Sequence, residues 1–311
     1  MKKHSFLERY FYTPNLAQKA LIFALLPFSF IYQTIATLKR KFSKKHHFNV
    51  PIVSIGNIIA GGSGKTPFIL EVAKQYSNVM IVSRGYKRHS KGLIVVSYQG
   101  KFLVPEYIAG DEAYLIALSL KNASVIVSEK RDLGIKKAID MGASCVFLDD
   151  GFRFNFNQFN VLLKPKNPPY YPFCFPSGLY RESFSSYKEA HLIVTEGKDY
   201  LRKTNITNPT KRMLLVTAIA NPSRLDEFLP SNIVGKLYFK DHANFNLKLL
   251  EKEFHKHNAT SLLVTTKDLV KLNDCVLPLS ILNLKLEICP YILESIENYI
   301  RSYSYNTTTH L

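Results

Sequence analysis

The segment Pro51–Leu70, PIVSIGNIIAGGSGKTPFIL, limits what this chain can fold into more than any other stretch. Pro51 to Ile55 reads as a buried strand, a glycine-rich turn follows, and a helix opens at about Lys65. Gly61, Gly62 and Gly64 let the backbone turn tightly and aim its N–H groups inward. Lys65 adds a mobile positive charge and Thr66 a hydroxyl at the helix N-terminus. Backbone donors, a helix dipole and one lysine together form a cradle for a polyphosphate. The expected nucleotide-binding residues are Ile59, Ala60, Gly61, Gly62, Ser63, Gly64, Lys65 and Thr66. Ile59 stands where the strict pattern has its first glycine. A plain glycine turn is the alternative; the strand before it and the helix after it favour the cradle.

Apolar runs then recur at intervals suited to a parallel sheet with helical crossovers. Val79–Ser83 leads into the basic stretch Arg84-Gly85-Tyr86-Lys87-Arg88-His89, at the rim where open α/β sheets bind ligands or, equally, as a solvated loop. Asp111 and Glu112 open a helical pattern. Two acids there complement a helix N-terminus, and the functional reading makes Asp111 a base that receives a hydroxyl proton. After Val125–Ser128 and a crossover helix at Leu133–Met141, Cys145–Asp150 (CVFLDD) is an apolar strand ending in two acids. A strand ending in aspartate downstream of a phosphate loop is the expected second half of a nucleoside-triphosphate site. Asp149 would hold Mg²⁺ with Thr66 as the other protein ligand.

The chain's 311 residues give room for about two domains. The apolar fraction of 46% supplies real cores, and a formal net charge of +17 favours an anionic partner. Cys145, Cys174, Cys275 and Cys289 have no paired spacing, which fits reduced thiols better than disulfides or a metal cluster. Leu16–Ala36 is mostly apolar but carries Gln18, Lys19, Gln33 and a central Pro27. Lys39, Arg40, Lys41, Lys44 and Lys45 follow at once. An apolar helix with a basic flank suits a monotopic anchor on acidic head groups; the alternatives are a buried helix with a wet basic end, or one transmembrane span that leaves the basic flank and the phosphate loop on the cytoplasmic side.

In order along the chain, LLPFSFIY, SIGNIIAGGSGKTP, SRGYKRHSKG, AGDEAYLIA, FLDDGF, FPSGLYRES, TAIANP, FKDHANF and VTTKDLVKL make the chain resemble the tetraacyldisaccharide 4′-kinases, the lipid A 4′-kinases of Gram-negative bacteria. It departs from that family's pattern at Arg153 and Phe154, at Ala243 and at Thr266. The resemblance implies transfer of the γ-phosphate of ATP, with Mg²⁺, to the 4′-hydroxyl of an acylated glucosamine disaccharide 1-phosphate, at the cytoplasmic face of the inner membrane, by a monomer that binds no nucleic acid. Asp111 paired with His242, together with Lys65 and Arg181, would be catalytic. Glu182 would lie near the metal with Thr66 and Asp149, and Arg84, Tyr86, Glu112 and Asp150 would meet the acceptor.

The second half fits this scheme. Lys164–Tyr187 is a proline-rich, tyrosine-rich loop holding Arg181 and Glu182, which on sequence alone also reads as a surface ion pair. Asn205–Lys211 reads as a linker. Strands at Leu214–Ala218, Leu237–Phe239 and Leu262–Thr266 alternate with helices. The expected architecture is α/β: a phosphate-loop NTPase-like, mostly parallel sheet (49–205), a smaller α/β unit closing over it (206–311), a C-terminal helix packing back on the first, and an N-terminal membrane-associated helix (1–48). Two other classes compete. A membrane-bound ATPase switch that positions partners should carry a lysine just before the two glycines, where this chain has Ala60. A nucleic-acid-binding protein should show a zinc spacing, an RNA-binding aromatic motif or a recognition helix, and none is apparent.

Overall fold

A computed structural model of the chain describes residues 6–61, 64–86, 88–219, 222–240, 243–269, 271–272 and 274–308, with side chains to 303. The phosphate-loop strand lies inside the larger sheet. Its strands are β1 (Ile52–Gly56), β2 (Val79–Ser83), β3 (Ile94–Tyr98), β4 (Lys101–Phe102), β5 (Ser124–Val127), β6 (Cys145–Asp149), β7 (Phe159–Lys164) and β8 (Leu192–Thr195). They are ordered β4-β3-β5-β2-β6-β1-β7-β8 and parallel except around β3. Ile55 pairs with Asp149 and with Val161, so β1 sits between β6 and β7 with every residue buried. Central strands shielded on both faces explain the continuous apolar runs in the sequence.

Two helical layers cover this sheet. On one face lie α4 (Lys65–Ala73) and α6 (Asp111–Ser119), which follows the single turn α5 (Glu106–Ala109). On the other, α7 (Arg131–Asp140) seats Ile135 and Ala138 on Val82 and Val146, beside Phe48 and Val50. Gly134 allows this approach, since a Cβ there would stand 2.6 Å from Val82.

A second sheet, ordered β11-β10-β12-β13-β9, contains β9 (Tyr200–Thr207), β10 (Met213–Thr217), β11 (Ile233–Tyr238), β12 (Ser261–Thr265) and β13 (Leu279–Ile288). It is parallel except for β9, which runs antiparallel to β13. Helix α8 (Leu247–Lys256) and the turn α9 (Thr266–Leu269) accompany it. Asn205–Thr207, read above as linker, belongs to β9. After the buried Tyr200, YLRKTNIT alternates between exposed and partly buried residues, a half-buried edge strand with a strongly polar outer face. β9 also enters the first core, where Tyr200 packs edge-on against Phe68 of α4 at 5.8 Å. The C-terminal helix α10 (Pro290–Thr308) returns to the first sheet. Ile292 and Ile296 are fully buried there, and Tyr299 stacks on Phe159 at 5.0 Å while accepting from the Ile52 amide.

The apolar run near the N-terminus is two helices rather than one. After α1 (Phe6–Tyr12), α2 (Leu16–Ala24) and α3 (Leu26–Lys41) meet at an angle of 51°. Pro27 lies in the first turn of α3, where its missing N–H is harmless, and a new helix starts there more readily than the old one continues. Among the described residues no single helix is long and apolar enough to cross a membrane; the bent pair passes on length and composition alone.

Truncating Ile296 to alanine should lower global stability by about 2–5 kcal/mol, read as a shift in denaturant midpoint. A value near zero would mean that α10 is not part of the first core.

Candidate active site

The phosphate loop is left-handed at both described glycines, with φ of +106° at Gly61 and +78° at Gly64; Gly62 and Ser63 lie outside the described residues. Helix α4 starts at Lys65, with Thr66 second, and among the described residues no side chain caps it. Its first amides are therefore free to bind an anion, and the helix dipole favours one. Lys65 Nζ lies 3.3 Å from Asn57 Oδ1 and 3.8 Å from Asp150 Oδ1.

Arg181 reaches this loop through backbone pairing. Residues 179–181 run beside 58–60. The Ala60 amide donates to Leu179 O and the Arg181 amide to Ile58 O, both at 2.8 Å, with Tyr180 buried between them. Gly178 lets the loop fold tightly on itself just before this pairing, since a Cβ there would be 2.1 Å from Phe173 O. Arg181 then donates to both Asp150 oxygens at 3.1 Å and to Asn57 Oδ1 at 2.6 Å. This forked pairing is specific to a guanidinium.

At the end of β6 the two aspartates differ in environment. Asp150 has φ of +58°, a sparsely populated conformation outside glycine, and its amide donates to Ile55 O. Burial alone would raise its pKa; Lys65 and Arg181 outweigh that and hold the carboxyl below its ordinary value. Asp149 is buried, and one oxygen accepts from Ser83 Oγ at 3.0 Å. Burial pushes its pKa up to about 6; Lys65 opposes the rise, and the charges of Glu112 and Asp150 add to it. Its other oxygen, Oδ1, is buried without a hydrogen-bond partner among the described residues. An orphaned carboxylate oxygen beside a phosphate cradle fits a divalent cation with oxygen ligands. Among the described residues no three acidic, histidine or cysteine groups form a ready-made metal site. A cation would complete its shell with oxygens from outside the protein, phosphate or water.

Glu182 is nearly fully buried. One oxygen pairs with Arg153 Nε at 2.9 Å, and Oε2 has no hydrogen-bond partner among the described residues. Asp111 and Glu112 begin α6, and Glu112's charge reaches Asp149. Asp111 Oδ2 lies 3.1 Å from Lys271 Nζ of the second sheet's unit. His242, the expected partner of Asp111, lies outside the described residues. Arg84 and Tyr86 are exposed at the end of β2, and the Tyr86 carbonyl sits against Gly110, just before Asp111. Arg88 of the same basic loop is not open to a ligand: its side chain is buried and paired with Glu129.

Phosphate loop, paired aspartates and Arg181 thus converge on one rim. A family model for tetraacyldisaccharide-1-P 4′-kinase, LpxK, matches residues 21–301. The chain belongs to that family. It is 74% identical to the tetraacyldisaccharide 4′-kinase of Helicobacter acinonychis over 98% of both chains. It is 43% identical to that of Aliarcobacter butzleri over 97% of this chain and 99% of the other. Its fold is similar to a crystal structure of LpxK from Aquifex aeolicus in complex with ATP, with a TM-score of 0.75 and 27% identity over 91% of this chain and 99% of that one.

Several residues of this kinase's site carried no signal in the sequence. Asn57 bridges Lys65 and Arg181. Arg131, buried under β6, donates to the Asp149 carbonyl at 3.2 Å, and burial pulls its pKa down to about 10. Its place at the start of a crossover helix, one strand before the double aspartate, was the available hint. Arg153 is one of the departures noted above, and its pairing with Glu182 gives that departure a structural role.

Gly64→Ala should destabilise the protein by about 1–2 kcal/mol through left-handed strain, measured by thermal unfolding. Its Cβ would also stand 2.6 Å from Arg202 Nη2, so Arg202→Ala in the same background should recover part of the loss.

Proposed function

We propose that this chain phosphorylates the 4′-hydroxyl of a tetraacylated glucosamine disaccharide 1-phosphate with ATP, forming the 4′-phosphorylated lipid IVA of lipid A biosynthesis. The observation that carries the reading is the uncapped N-terminus of α4, with Lys65 and the two β6 aspartates around it. ATP would lie along Ile59 to Thr66 with its phosphates on the loop amides. Thr66 and Asp149 would hold Mg²⁺, with Glu182 nearby; the ion supplies charge neutralisation on the phosphate oxygens.

The protein's own groups then divide the work. Lys65 leaves Asn57 and Asp150 to meet the transferred phosphoryl group, and Arg181, fixed by Asp150 and Asn57, stabilises the charge spreading over its oxygens. Asp111, oriented by His242, takes the hydroxyl proton as the oxygen attacks. Arg84, Tyr86, Glu112 and Asp150 line the acceptor side, and the exposed guanidinium of Arg84 suits an anionic head group.

We place the protein on the cytoplasmic face of the inner membrane as a peripheral or monotopic monomer. Phe23, Phe28, Phe30, Ile31 and Ile35 of α2 and α3 are exposed, and α3 ends in Lys39, Arg40 and Lys41. An exposed apolar helix with a basic end matches an acidic bilayer surface. Neither α2 nor α3 is by itself long and apolar enough to cross a membrane, which is compatible with a pair held at the surface.

Incubation with ATP, Mg²⁺ and the tetraacylated disaccharide 1-phosphate in detergent should yield a product with a second phosphate. EDTA should abolish it, and Asp111→Asn should lower turnover by about 10²–10⁴-fold while ATP binding survives. No phosphorylated lipid would end the reading. Replacing Phe30 and Ile35 together with serine should weaken binding to acidic phospholipid vesicles by about tenfold or more, in a co-sedimentation assay.

A further inference from the structure

Asp111 is approached from the second sheet's unit, by a lysine held for the purpose. Lys271 Nζ lies 3.1 Å from Asp111 Oδ2, and the lysine side chain is only 4% exposed. The same ammonium donates to the Ala243 carbonyl at 3.4 Å, on the residue that follows His242 in the sequence. The turn bearing Lys271 is pinned by Asp268. That buried carboxylate accepts from Thr217 Oγ1 at 2.7 Å, from the Ala218 amide at 3.0 Å and from Thr265 Oγ1 at 2.6 Å, and its carbonyl accepts from the Lys271 amide at 3.1 Å. The ends of β10 and β12 thereby fix where Lys271 points.

A second carboxyl shares the spot. Glu106 of α5 is hydrogen-bonded to Asp111. Burial and the Asp111 charge raise its pKa, while Lys271 lowers it. Around the Asp111 carboxylate the described residues therefore place Glu106 from α5 and Lys271 from the turn after α9. Glu112, next in α6, acts on Asp149, and Arg88, whose Cβ adjoins Gly110, is engaged by Glu129. Two neighbouring carboxyls with no cation between them share a proton; a buried ammonium against one of them keeps that one ionised.

We propose that Lys271 is a positioning residue for the phosphoryl transfer: from the second sheet's unit it holds Asp111 ionised and aimed, so the base is competent only when the two sheets' units are docked. The inference rests on the reading of Asp111 as the base. A buried ion pair between two units suits such a role, because removing one partner leaves the other uncompensated.

The test is the pH dependence of kcat with ATP, Mg²⁺ and the tetraacylated disaccharide 1-phosphate, in the full chain. In Lys271→Met, kcat at neutral pH should fall at least about tenfold with the KM for ATP within about twofold. The acid limb of the profile should move up by about one pH unit, because Asp111 loses its cationic neighbour. Lys271→Arg should keep the wild-type limb. If the methionine variant fails to fold, Lys271→Gln should show the same shift. An unmoved acid limb in a folded Met or Gln variant overturns the proposal, whatever its kcat. Asp111→Asn separates the two claims. Wild-type turnover in that variant removes Asp111 as base and the proposal with it. If Asp111→Asn is crippled and the Lys271 limb stays put, the positioning role alone is refuted. On the residual turnover of Asp111→Asn, adding Lys271→Met should cost nothing further; an additive loss would assign Lys271 a purely structural part.

Discussion

Arg181 ties the long proline-rich loop to the ends of two neighbouring strands of the sheet. Its guanidinium spans Asp150, at the end of β6, and Asn57, at the end of β1. Its backbone is stitched to Ile58, beside the phosphate loop. Asp150 needs that partner twice over: it is in a left-handed conformation that an unsupported aspartate would leave, and it carries its charge in a mostly buried place. Removing the arginine would leave Asp150 with Lys65 as its remaining cation at the head of the loop helix. The long proline-rich loop is thus the third wall of the site, and it packs there because Tyr180 and Cys174 are buried against Ile58 and Phe152.

How far the sequence could be read depended on whether a signal was local. Strands such as Val79–Ser83 are continuous apolar runs because both faces of a central parallel strand are covered, and they appear where expected. The phosphate loop was legible because its glycines, lysine and threonine are consecutive. Asp149 and Asp150 were legible because they terminate such a run. β9 escaped notice because its face toward solvent is Leu201, Lys203, Asn205 and Thr207, which reads as linker until β13 is set beside it. The break at Leu25 also escaped, since hydropathy records how apolar a stretch is and not how it bends. Asn57, Arg131, Arg153 and Lys271 were illegible for one reason: each acts on a residue remote in sequence, and a lone polar residue does not announce its partner.

Electrostatically the site is a graded set rather than a uniform basic pocket. Asp150 is kept charged by two cations, Asp149 is pushed toward neutrality by burial, and Arg131 is buried beneath both. A polyanion arriving at α4 would compete with Asp150 for Lys65, while a divalent ion beside Asp149 would relieve the penalty of its burial. The excess positive charge of the chain lies partly elsewhere, at the end of α3, so the composition alone could not have located the anion site.

The seat of β9 has a mechanical corollary. Tyr200 leans on Phe68 of the loop helix, and Arg202 of the same strand lies where a side chain at Gly64 would go, anchored by Glu196. This strand is hydrogen-bonded along its length to β13, so the outer sheet has its rocker arm already resting on the glycine hinge of the inner one. Tilting either lobe as a rigid block would therefore press on, or lift from, the glycine turn that opens α4.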